Sequence, residues 1–210
     1  MIGHHLIWTA YGWWLPNDPR GSGSHTVADS LSELGDIHHG RKAIQPPGRE
    51  IRQFYERSAE LLQHELLTFS ETERAIIAEA FGEVIERERY TCYACAVMPD
   101  HVHILIRKHK HTAEEMAGIL MEVSRLRLVA AGHRVPSHPT WLIGPAWSVF
   151  LDHPEDVRRT IGYIERNPIK IRLPEQHWPF VQEYDNWPLH AGHSPKSPYA
   201  KRLRELGRYP

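Results

Sequence analysis

The chain has 210 residues, 41% of them hydrophobic and 24% charged, which is enough for one domain with a real core and ordinary for a globular protein. No run approaches the roughly 18 apolar residues that span a bilayer, and the opening Met1-Ile2-Gly3-His4 lacks the charged start and apolar stretch of a secretory leader, so a cytoplasmic protein is the expectation. Net charge is −1, but residues 1–100 hold 9 Lys/Arg against 15 Asp/Glu and residues 101–210 hold 16 against 11, an asymmetry that suits a phosphate-facing side or a solvated surface with chance clustering.

In chain order, His4-Leu-Ile-Trp-Thr-Ala-Tyr11 is aromatic and branched and reads as a first strand. Pro16-Asn-Asp-Pro-Arg-Gly-Ser-Gly-Ser24 is a dense set of turn formers. Residues 25–69 read as an insertion, loop-like through Pro46-Pro47 and helix-compatible from Arg49 to Leu62. Ser70 and Glu73 then form a capping box ahead of the stripe Ile76, Ile77, Ala80, Phe81, Val84, Ile85. Residues 90–98 predict a strand, Pro99-Asp100 a tight turn, and His101-Val-His-Ile-Leu-Ile-Arg107 the returning strand.

The two cysteines, Cys92 and Cys95, fall in the first of these strands. Three apart on a strand, they should point to opposite faces and act as core residues rather than as a redox pair or half a zinc knuckle.

Thr112 with Glu115 opens a second capped helix with the stripe Met116, Ile119, Leu120, Val123, Leu126, Ala130, and Gly132 is placed to stop it. Trp147-Ser-Val-Phe150 reads as a short fourth strand. Asp152-His153-Pro154 starts a last helix carrying Val157, Ile161 and Ile164, ended by Pro168. The order βαββαβ plus a helix predicts an α+β fold, a ferredoxin-like antiparallel sheet with helices on one face and the other face free. Residues 1–168 would form this domain, with the insertion at about 25–69, and 169–210 a basic, Pro/Trp-rich, mostly irregular extension.

Two constellations carry chemistry. His101-Val102-His103 sets two imidazoles on one face of a strand, about 7 Å apart at the backbone, where they can supply two nitrogen ligands to a divalent cation. With 16 histidines in the chain, a His-x-His pair also arises by chance. In Tyr163-Ile-Glu-Arg-Asn167-Pro168 the tyrosine and asparagine stack one turn apart on a helix face, with Arg159 and Arg166 on the same side. That face could meet a phosphodiester, but taken alone the segment reads first as an ordinary helix-surface tyrosine, with Asn167 ending the helix before proline.

Together these segments resemble the REP-associated tyrosine transposases and the single-tyrosine HUH transposases of small bacterial insertion sequences. Val97-Met-Pro-Asp-His-Val-His-Ile-Leu105 looks like that family's histidine strand, and Tyr163-Ile-Glu-Arg-Asn-Pro168 follows at a compatible distance. Trp13-Trp-Leu-Pro-Asn-Asp-Pro-Arg-Gly21, Asn186-Trp-Pro-Leu-His190 and Ser197-Pro-Tyr-Ala-Lys201 look like a subgroup of it. The resemblance implies the HUH endonuclease fold and a metal-dependent, single-strand DNA endonuclease and strand transferase acting on hairpin-forming DNA. Tyr163 would be its nucleophile, and His101, His103 and Asn167 its ligands for Mg²⁺ or Mn²⁺. Asn167 stands where relatives often carry glutamine, which is longer by one methylene. Arg159, Arg166, Lys196, Lys201, Arg202 and Arg204 are the candidate DNA-binding cations, single-stranded or hairpin DNA the partner, with a homodimer also compatible. The competing reading is a catalytically silent DNA-binding protein derived from such an enzyme. A zinc hydrolase has neither an HExxH motif nor a third histidine at ligand spacing to support it.

Overall fold

The computed structural model describes residues 1–24, 27–142, 146–187 and 198–205. Its centre is a four-stranded antiparallel sheet of β1 (Gly3–Thr9), β2 (Cys92–Val97), β3 (His101–Arg107) and β4 (Trp147–Leu151), in the order β2-β3-β1-β4. The histidine strand is therefore interior, hydrogen-bonded to β1 on one side and β2 on the other. This is the ferredoxin-like arrangement that the element order predicts.

Alternation along the strands builds the larger core. Leu6 and Trp8 of β1 and Val102, Ile104 and Ile106 of β3 meet α2 (Glu71–Glu88) and α3 (Ala113–Ala130) on one face. Both capping boxes form. Ser70 accepts the Glu73 N–H while the Glu73 carboxylate accepts the Ser70 N–H, and Thr112 and Glu115 do the same. The stop after α3 is a Schellman turn: Gly132 has φ 75° and donates to Val129, and His133 donates to Leu128. The buried line of α3 runs through Met116, Leu120, Ser124 and Leu128, so Leu126 and Ala130 of the expected stripe lie exposed.

The structure differs from the sequence pattern in four places. The second sheet face is not free: α4 (Pro154–Lys170) packs Val157, Ile161 and Ile164 against Tyr93, Ala94, Ala96, Leu105 and Leu151. Pro168 does not end α4, which runs on to Lys170; a proline in the last turn removes a single hydrogen bond and leaves the rest of the turn intact. The register of β2 shifts between Cys92 and Ala94, so Tyr93 is an extra residue and the alternation restarts after it. Cys92 and Cys95 therefore share the α2/α3 core instead of facing opposite ways; both are buried free thiols whose pKa burial raises, as befits core residues. Finally, the extension is not wholly irregular, since Pro198–Glu205 forms α5.

The extension also shields the outer edge of β2. The Gln176 side chain accepts from the Val97 N–H and donates to the Val97 carbonyl, at 2.8 and 2.9 Å, and Gln182 N–H donates to the Cys92 carbonyl. Between β1 and α2 a 3-10 helix at Asp29–Leu34 and α1 (Gly48–Leu61) build a second small core, packing Leu34, Phe54 and Tyr55 against Leu15.

Candidate active site

On the face opposite α2 and α3, the alternation that buries Val102 and Ile104 necessarily presents His101 and His103. Their ring centroids are 4.8 Å apart. Each ring is held through Nδ1. His101 Nδ1 donates to the Asp100 carboxylate at 2.6 Å, and His103 Nδ1 lies 3.0 Å from Nε2 of His5, on the neighbouring strand β1. Burial pushes the His103 pKa down to about 2, helped by the positive potential of His101, His5 and Lys170, and burial lowers His5 to about 4. Both rings are thus neutral at pH 7. Burial works to raise the Asp100 pKa, but the hydrogen bond and charge of His101 outweigh it and hold it below the usual value.

Tyr163 comes to this pair from α4. Its ring stands edge-on to His103 with centroids 5.4 Å apart and to His5 at 6.1 Å, while the residue keeps 41% of its surface exposed. Substrate can therefore reach a phenol that is packed on one side. Lys170, one turn beyond Asn167, places its ammonium 4.4 Å from the centre of the Tyr163 ring.

The sequence-predicted residues thus divide. His101, His103 and Tyr163 are brought together. Asn167 is buried on the same helix, its Oδ1 3.5 Å from Lys170 Nζ and its Nδ2 enclosed without a hydrogen-bond partner. Arg159 is highly exposed and paired with Asp156, and Arg166 is exposed and folded back beside Gly162; the cation over the tyrosine is Lys170. Lys201, Arg202 and Arg204 lie on α5, where Arg202 Nη1 is 3.5 Å from His153 Nε2 at the start of α4. Lys196 lies outside the described residues. Sequence reasoning missed His5, Lys170 and Asp100. Only the position of His5 within an alternating strand hinted at a face, and nothing local named its partner.

The donor set suits a divalent cation in one respect. Two imidazoles whose Nδ1 atoms are each engaged by a second group match the usual setting of histidine ligands, which bind through Nε2. Among the described residues no three His, Cys, Asp or Glu side chains converge on a metal position. A bound ion would therefore rest on His101 and His103, with an amide such as Asn167, water and substrate oxygens completing its shell.

No protein-family model and no curated protein sequence matches the chain. Among solved structures it is similar to one described as a REP-associated tyrosine transposase bound to a REP hairpin, with 20% identity over 71% of this chain and 78% of that one and a TM-score of 0.42. It is also similar to a proposed transposase from Deinococcus radiodurans R1, with 15% identity, 78% of this chain and 88% of that one covered, and a TM-score of 0.36. Among the described residues no helix is long and apolar enough to cross a membrane.

Proposed function

We propose that the chain is a metal-dependent DNA strand transferase that cuts single-stranded or hairpin-flanking DNA through a covalent bond to Tyr163. The observation that carries the reading is the exposed phenol of Tyr163 against the ring of His103, in a chain whose histidine strand and tyrosine helix both resemble those of the single-tyrosine transposases.

A phosphodiester repels nucleophiles with its own charge. Mg²⁺ or Mn²⁺ held by His101 and His103, with Asn167 as third ligand, would neutralise that charge and polarise the phosphorus. The residues of the chain do the rest. The phenolic oxygen of Tyr163 bonds to phosphorus, the bond to the 3′ oxygen breaks, the phenolic proton is released and the departing oxygen takes one up. The product is a 5′-phosphotyrosine and a free 3′ hydroxyl, and attack by that hydroxyl or another reverses the step without ATP. Lys170 fixes a positive charge beside the phenol. Arg159, Arg166 and the cations of α5 would contact the phosphate backbone. The reading holds for a monomer and for a homodimer.

The test is incubation with end-labelled DNA hairpins carrying single-stranded flanks, in Mg²⁺ or Mn²⁺, followed by denaturing electrophoresis. A labelled protein band that needs both the ion and Tyr163 is expected. Hairpin binding with no such band under any ion would favour the silent binding protein.

A further inference from the structure

Resting on the metal reading above, we infer that His5 is a positioning residue that fixes His103 in the Nδ1–H tautomer and so keeps the Nε2 lone pair of His103 available to a divalent cation.

His5 Nε2 and His103 Nδ1 are 3.0 Å apart in a buried setting, so one of the two nitrogens must donate and the other accept. The two arrangements have opposite consequences. If His5 donates, the proton of neutral His103 sits on Nε2, its only lone pair is engaged by His5, and the ring has no lone pair left to bind a metal. If His103 donates, Nε2 carries the free lone pair. His101 shows the second polarity independently: its Nδ1–H can only donate to the Asp100 carboxylate, leaving Nε2 as the ligand nitrogen. The two ligand rings then obey one rule, with a carboxylate orienting the half-buried one and a neutral imidazole orienting the buried one.

The geometry also explains why a histidine stands at position 5. The β1–β3 register sets Ile7 opposite His103, so His5 is its diagonal neighbour on the same face, within reach of a long flat side chain. A carboxylate there would carry a charge into a site that leaves His5 only 6% exposed. The His5 ring also touches Tyr163, so one side chain holds both the ligand ring and the nucleophile ring.

Two measurements test this on the intact chain. In metal-free wild type, long-range ¹H–¹⁵N correlation of the imidazoles should report His103 protonated at Nδ1; protonation at Nε2 overturns the inference. Mn²⁺ binding followed by electron paramagnetic resonance should weaken about 10–100-fold in His5→Phe, which keeps the ring but has no acceptor. His5→Gln, whose amide oxygen can take the same hydrogen, should recover most of the loss. Wild-type Mn²⁺ affinity in His5→Phe, or equal damage in the Gln and Phe variants, overturns the role. Wild type that binds no Mn²⁺ while His103 shows the Nδ1–H form would strike the metal reading and leave the tautomer assignment standing.

Discussion

Tyr163 and His103 meet edge to face with ring centroids 5.4 Å apart, although one stands on α4 and the other on an interior strand of the sheet. The contact exists because Val157, Ile161 and Ile164 dock α4 on the second sheet face, which turns the neighbouring helix position toward the histidines. Tyr163→Phe removes one oxygen and leaves that ring contact. Stability should change by about 0.5 kcal/mol or less and hairpin affinity should persist, while covalent adduct and cleavage vanish. An adduct in the Phe variant, mapped by mass spectrometry to another of the eight tyrosines, would reassign the nucleophile.

His101→Ala and His103→Ala should each abolish ion-dependent cleavage in a protein that remains folded, with hairpin binding largely retained because phosphate contacts by Lys and Arg supply most of such affinity. The two should differ in stability. His103 is buried and bonded to His5, so its loss leaves a cavity and an unpaired nitrogen, whereas His101 is only half-buried. Cleavage near the wild-type rate in both variants would remove the metal site.

Local signals made much of this legible in the sequence. Capping boxes announced α2 and α3, and strict alternation announced β3 and the shared face of His101 and His103, because each depends on residues a few positions apart. What stayed hidden depends on register or on distant packing. His5 becomes a partner of His103 only once β1 is aligned with β3. The shared face of Cys92 and Cys95 depends on a bulge that no residue type signals. Lys170 lies beyond Pro168, and only the continuation of α4 through that proline brings its ammonium over the Tyr163 ring.

Stability should fall in acid before the carboxylates titrate. In the unfolded chain a histidine takes up its proton near pH 6.5; in the fold His5 does so only at about 4 and His103 at about 2. Between these values the unfolded state binds more protons, so stability is complete above about pH 6.5 and declines as pH drops toward the folded values. The lowered pKa values of Glu73 and Asp100 act further down, below the ordinary carboxylate range. Urea midpoints measured between about pH 7 and 4.5 should therefore decrease, with His4 and His138, also lowered by burial, contributing in the same direction. His5→Phe should flatten the slope; an unchanged slope would show that His5 is not held neutral.

The turn-rich segment after β1 is tied together by a buried ion pair. Asp18, with no exposed side-chain surface, accepts from Arg20 Nε and Nη2 at 2.8 and 2.7 Å and from the Tyr55 hydroxyl at 2.5 Å, while the Arg20 guanidinium lies 3.7 Å over Trp14. Removing one partner strands the others, so Asp18→Ala should destabilise the protein by about 3 kcal/mol in chemical denaturation. Arg20→Lys should fail to substitute, because an ammonium cannot make the forked contact or stack on the indole. A loss under about 1 kcal/mol for Asp18→Ala, the range of a surface pair, would show that the segment is held by its apolar contacts instead.

The last prediction concerns the basic tail. α5 carries Lys201, Arg202 and Arg204, and Arg202 reaches His153 at the start of α4, the helix that bears Tyr163. Cations in that position can follow the backbone of a strand whose scissile phosphate lies at the tyrosine. Each phosphate neutralised releases counterions, so the logarithm of affinity falls with the logarithm of salt by roughly 0.7 to 0.9 per contact. Truncation after residue 192 should therefore weaken hairpin binding at low salt and flatten the salt dependence by roughly two to three units if these three side chains all contribute. Charge reversal of Arg159 and Arg166, on the Tyr163 helix itself, should lower affinity further in the truncated chain, because the two sets would contact different phosphates. An unchanged salt slope after truncation would return α5 to an ordinary solvated helix and confine the DNA contacts to α4 and the sheet.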